Sequence, residues 1–169
     1  MNHRGLSLVE AIIVIVIIGL LAILAVPRFS HADPEPADFN PRPPLVRLRS
    51  AIEMYYYDHG AYPGQRGDGL NPSGGAEAFC RQLTTFSDVD GRTSRQRTEV
   101  FRFGPYLRDG VPACPVPPRL GMSAVVTTAD APRFQESAAD AGWVYNCQTG
   151  AVSLNSDALD PAGLPYDRY

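Results

Sequence analysis

Glu10 is the residue whose placement most demands a chemical explanation, because it is the one charged residue in the apolar run from Leu6 to Val26. A carboxylate inside a membrane-spanning helix is penalised, so such residues mark pairing or function. A cut after Gly5 would give Leu6 a free amine, and Glu10 lies four residues on, on the same helix face. The two charges could then meet within one chain, or between neighbouring subunits where a low dielectric makes pairing selective. The bland alternative is a carboxylate facing lipid headgroups.

Other candidate groups carry less. His59 stands beside Asp58, and Cys80, Cys114 and Cys147 are too widely spaced for a CxxC redox or zinc pair. Three cysteines allow at most one intramolecular disulfide, and their spacing leaves the partners open; three buried thiols are the alternative. A thiolate–imidazolium pair with His59 is conceivable chemistry. Yet the chain has no Gly-x-Ser-x-Gly elbow, Gly-rich phosphate loop or HExxH pair. It reads as a non-enzyme with no cofactor. Asp88-Val89-Asp90-Gly91 lacks the other oxygen ligands of a calcium loop and reads as an Asx turn. The tyrosines at 55–57 could stack on a glycan or peptide, which would make the chain a membrane-tethered binding module, but at least one ring is expected to cap a core.

The elements that must position these groups begin with the apolar run. As a helix it would be about 31 Å long, against a bilayer core of roughly 30 Å. Arg4 precedes it and Asp33, Glu35 and Asp38 follow, so the N-terminus is expected on the cytoplasmic side and the remainder across the membrane. A secretory signal would have a shorter apolar region and a small-residue cleavage site, which Ala22-Ile23-Leu24-Ala25 does not supply. The net charge of −3 and fifteen arginines without a basic stripe argue against nucleic-acid binding.

The stretch Gly5-Leu6-Ser7-Leu8-Val9-Glu10, continuing through Gly19 to Pro27-Arg28-Phe29, resembles the leader and N-terminal segment of type IV pilins and type II secretion pseudopilins. The resemblance implies cleavage after Gly5 by a prepilin peptidase, methylation of Leu6, a role for Glu10 in subunit packing, and a helix interruption at Pro27. It also implies self-association in a helical filament, an inner-membrane assembly platform and minor pseudopilins as partners, and a filament that drives protein secretion. A surface pilus for adhesion, motility or DNA uptake is the alternative.

Beyond the membrane run, Pro34, Pro36, Pro41, Pro43 and Pro44 predict an extended neck, since proline removes donors and clashes with the preceding turn. Leu45, Leu48, Ile52 and Tyr55 then fall at helical spacing, with Gly60 as C-cap. A short amphipathic segment spans Ala76–Leu83, residues 123–128 are strand-prone, and Gly142–Asn146 with Ala151–Asn155 predict a hairpin. The expected class is α+β: a leader (1–5), a transmembrane assembly helix (6–29), a Pro-rich neck (30–44) and a periplasmic domain (45–169) in which a helix packs on a small antiparallel sheet. Tyr55 to Gly64, Phe103 to Leu107 and Trp143 to Asn146 resemble the globular part of major pseudopilins. The calcium loop of some of those proteins has no convincing counterpart at Ser156–Pro161, so no metal is expected.

Overall fold

The computed structural model describes Leu8, residues 12–17 and residues 40–169. The chain divides into two units, Met1–Asp33 and Pro34–Tyr169. In the first, residues 12–17 are helical, apolar and exposed. Gly5, Leu6, Glu10 and Pro27 lie outside the described residues, as do most of the expected membrane helix and the neck before Asn40. Among the described residues, no helix is long and apolar enough to cross a membrane.

The second unit opens with helix α1, Arg42–His59. It starts at Arg42 rather than at Leu45, and Pro43 and Pro44, expected to prevent helix, instead stand in its first turn. The Arg42 N–H donates to Asn40 Oδ1 at 3.1 Å, Pro43 and Pro44 have no N–H to satisfy, and Leu45 N–H donates to the Pro41 carbonyl at 3.3 Å. The first turn thus leaves no orphaned donor. At the other end Gly60 adopts the left-handed conformation (φ 62°), and its N–H donates to the Tyr56 carbonyl at 2.8 Å. That is the expected glycine C-cap.

Helix α2, Ala76–Thr84, buries Phe79 and Leu83, one turn apart. Strands β1 (Phe86–Ser87) and β2 (Thr93–Ser94) form an antiparallel ribbon. The Asx turn expected between them is present: Asp88 Oδ1 accepts the N–H of Asp90 at 3.0 Å and of Arg92 at 2.9 Å.

A three-stranded sheet follows, β3 (Ala124–Thr127), β4 (Ala141–Tyr145) and β5 (Val152–Leu154), in the order β3-β4-β5. β4 and β5 make the expected hairpin, but β3 runs parallel to β4. The sheet is therefore mixed, not purely antiparallel. Residues 128–140 supply the long connection that a parallel pair requires. Two asparagines fasten it: Asn146 Nδ2 donates to the carbonyls of Ala129 and Asp130, and Asn155 Nδ2 donates to those of Ala138 and Ala141.

One hydrophobic core joins Leu45, Leu48, Ile52 and Tyr55 of α1, Phe79 and Leu83 of α2, and Trp143, Tyr145, Val152 and Leu154 of the sheet. Each fully buried large side chain contributes about 1.5–3 kcal/mol. The two ring donors in the sheet are satisfied, Trp143 Nε1 by the Pro112 carbonyl at 2.7 Å and the Tyr145 hydroxyl by the Pro63 carbonyl at 2.9 Å. Gly142 sits where an added Cβ would collide with the Met122 carbonyl.

Candidate functional site

The most reactive-looking side chains meet at the C-terminal end of α1. His59 Nε2 lies 3.1 Å from Ser87 Oγ, and His59 Nδ1 lies 2.9 Å from the Tyr55 carbonyl. A carbonyl only accepts, so Nδ1 carries a proton, which leaves Nε2 to pair with the Ser87 hydroxyl. A serine–imidazole bond is the start of a nucleophilic pair. Here it is sealed. Ser87 and His59 are both buried, the Tyr55 ring stacks on the imidazole with centroids 3.9 Å apart, and Phe103 leans on it at 5.1 Å. No substrate atom can reach the hydroxyl, so the pair ties α1 to β1.

Neighbouring groups are equally structural. The Tyr106 hydroxyl donates to Asp58 Oδ2 at 2.7 Å; burial, then that hydrogen bond, pushes its phenol far above the ordinary range. Cys80, Cys114 and Cys147 are all free thiols, the last two buried. Burial, with Glu77 adding repulsion, pushes the Cys80 thiol up to about 11, and burial also raises Cys114. Such thiols are protonated and poorly nucleophilic at neutral pH. Asp68, whose side chain is fully buried, accepts from Arg81 Nε at 2.8 Å. It also accepts the N–H groups of Leu70 and Asn71 at 2.8 and 2.6 Å. Burial pushes its carboxyl upward, but the Asn71 and Leu70 hydrogen bonds and Arg81 outweigh it and hold the group below the usual range.

Outward, α1 sets three apolar side chains among the exposed Arg42, Arg47, Arg49, Ser50 and Glu53. Val46, Met54 and Tyr57 are 58 %, 57 % and 90 % exposed. On a helix these positions fall within about 80° of one another, opposite the buried stripe. The positions are visible in the sequence at offsets of eight and eleven residues, though the inward periodicity draws the eye first. The Ser87–His59 pair has no such signal, because its members lie on separate elements joined only by folding. The expected processing and assembly residues Gly5, Leu6, Glu10 and Pro27 all lie outside the described residues.

Comparison with known proteins supplies what the geometry of the folded unit does not. Residues 1–26 match the family model of the prokaryotic N-terminal methylation motif. The chain is 43 % identical over 66 residues to type II secretion system core protein G of Pectobacterium carotovorum subsp. carotovorum, covering 37 % of this chain and 40 % of that protein. Its namesake in Escherichia coli (strain K12) is 43 % identical over 66 residues, covering 37 % and 43 %, and the one in Klebsiella michiganensis is 37 % identical over 62 residues, covering 37 % and 44 %. The chain thus spans about two fifths of the length of the curated relatives it matches. No solved structure matches it.

Proposed function

We propose that this chain, which carries a prepilin-type methylation motif and is similar to type II secretion core protein G, is a pseudopilin, a structural subunit of a secretion filament. The observation that carries this reading is the match over residues 1–26. In the mechanism it supports, a prepilin peptidase cuts between Gly5 and Leu6 and the new amine of Leu6 is methylated. The apolar segment holds the subunit in the inner membrane, with the folded unit on the periplasmic side. An inner-membrane platform then extracts subunits, whose segments exchange lipid for one another, and Glu10 of one copy pairs with the amine of a neighbour. Repeated non-closing contacts build a helix rather than a ring. The outward stripe Val46, Met54 and Tyr57 is a surface that a second copy would cover, consistent with a role that needs no catalytic group.

Protein recovered from a host with the matching peptidase should begin at Leu6 by intact mass and N-terminal sequencing; a product beginning after Ala25 would overturn the processing step. Glu10→Leu should enter the membrane as readily as the parent, because it removes a penalised polar group. Its folded unit should be unaffected, while filament incorporation collapses. Full incorporation at normal membrane abundance would overturn the pairing.

A further inference from the structure

We propose that residues 157–169 form a strap guarding the open edge of β5, and that lifting the strap lets two copies of this chain join edge to edge through β5. β5 ends the three-stranded sheet, with β4 on one side only. The Asn146 N–H donates to the Ala151 carbonyl and the Asn155 N–H to the Gly142 carbonyl, each at 2.9 Å. Those bonds fix the ladder. Ser153 turns its peptide groups to Val144 of β4, while Val152 and Leu154 turn theirs outward. An open edge of this kind is a template for another strand.

Edge strands are commonly blunted by charge or proline within the strand itself. Residues 151–156 read Ala-Val-Ser-Leu-Asn-Ser and contain neither, so the protection comes from outside the strand. Val152, Ser153 and Leu154 are all buried, and the C-terminal 3-10 turn (Tyr166–Arg168) packs against them. Arg49 of α1 joins strand and strap: its Nη2 donates to the edge carbonyl of Val152 at 3.2 Å and to the Tyr169 main-chain oxygen at 2.5 Å. The Tyr169 hydroxyl donates to Asp160 Oδ2 at 2.5 Å, and Asp160 Oδ1 accepts the N–H groups of Ala162 and Leu164, both at 2.8 Å. Tyr166 is buried, its ring centroid 5.6 Å from that of Tyr169. Arg49 thus fastens the strap to the edge, and Asp160 closes it on itself.

What the strap covers is self-complementary. Two β5 strands laid antiparallel about a two-fold axis at Ser153 set Val152 opposite the partner's Leu154, and Leu154 opposite the partner's Val152. These residues carry the outward peptide groups, so about four main-chain hydrogen bonds can form. The same two-fold keeps Val152 and Leu154 of both copies on one side of the joined sheet, continuing the core face. Ser153 then meets its twin at the axis, where cross-strand hydroxyls come within bonding reach. Under the closed strap that hydroxyl is enclosed and has no hydrogen-bond partner in the protein. An unpaired buried hydroxyl is unfavourable, and the paired state supplies its partner.

The full chain in dodecylmaltoside micelles tests this with Arg49→Gln/Tyr169→Ala, which removes both the link to the edge and the link to Asp160. Hydrogen exchange, read amide by amide at low concentration, should quicken about tenfold or more at Val152 and Leu154. It should stay unchanged at Ser153, whose N–H is bonded to β4. Equal quickening at Ser153 would mean that β5 itself melts, and no quickening would mean that Arg49 and Tyr169 guard nothing; either result overturns the strap. The second arm adds Ser153→Cys and the thiol oxidant diamide. In the unfastened variant a 153–153 disulfide should form, in a yield that rises with protein concentration. Peptide mass spectrometry separates it from links at Cys80, Cys114 and Cys147. With the strap intact, Ser153→Cys alone should give about tenfold less of it. Equal yields in the two backgrounds, or no 153–153 link in the unfastened one, would overturn the pairing.

Discussion

Both faces of α1 carry large apolar side chains, but only the inward ones are covered. Inward, Leu48, Ile52 and Tyr55 are wholly enclosed by α2 and the sheet. Outward, Val46, Met54 and Tyr57 meet no other part of the folded unit closely enough to be covered. A polar version of the contrast runs beside it. Arg81 holds an enclosed carboxylate, with side chains 28 % and 0 % exposed, whereas Arg47 and Asp109 meet at nearly the same distance with side chains 47 % and 80 % exposed. The exposed pair contributes at most about 1 kcal/mol, because water and salt screen it. Contact type does not decide the contribution; enclosure does.

The comparison can be broken first on the inward face. Leu48→Ala removes a side chain with no exposed surface and should cost roughly 3 kcal/mol in transfer and cavity terms. The urea midpoint should fall with little change in slope, and an unchanged midpoint would mean that α1 is not a core element.

Asp68→Asn tests the enclosed ion pair and should cost roughly 2–3 kcal/mol, since Arg81 loses its counter-charge while the loop amides keep an acceptor. The sign of its pH dependence follows from a carboxyl held below its ordinary value. The stabilisation is complete above the unfolded value of about 3.9 and is lost as pH falls through the lower folded value. Thermal melts taken down the acid limb should therefore be steeper in the parent than in the variant. Equal slopes would remove Asp68 from the acid response.

The outward face should respond least in stability. Val46→Ser/Met54→Ser/Tyr57→Ser should shift the unfolding free energy by no more than about 0.5 kcal/mol per site. Filament incorporation, read by sedimentation of sheared cell material, should drop. A large loss of stability would show that this stripe is covered within the subunit, and normal incorporation would free it of any part in assembly.

Much of the folded unit was legible because its signals are local. The spacing of Leu45, Leu48, Ile52 and Tyr55, the glycine at 60, the α2 stripe and the hairpin around residues 147–150 each involve neighbours within a turn or two. Two features were not. Pro43 and Pro44 read as breakers, yet their missing N–H groups are harmless in a first turn, and only the position of Asn40 and Pro41 decides that. The parallel direction of β3 depends on where residues 128–140 return, a matter of tertiary contact. The processing motif is the reverse case, fully legible as sequence.

The fastened crossover has a consequence for how this fold can change in length. Asn146 grips its beginning and Asn155 its end, and Arg133 and Phe134 are held to Asp167 and Glu136 to Arg119 between them, so slack exists only in the short spans between these anchors. Closing a longer flexible loop between fixed ends costs only about 0.6 kcal/mol for each doubling. Insertions there leave the strand register intact. The hairpin turn on the other side of β4 has no such latitude: Gly150 sits at φ 73° against the Tyr62 ring, where even a methyl group would overlap. Of the two connections that β4 makes, one can lengthen and the other is held to its present size.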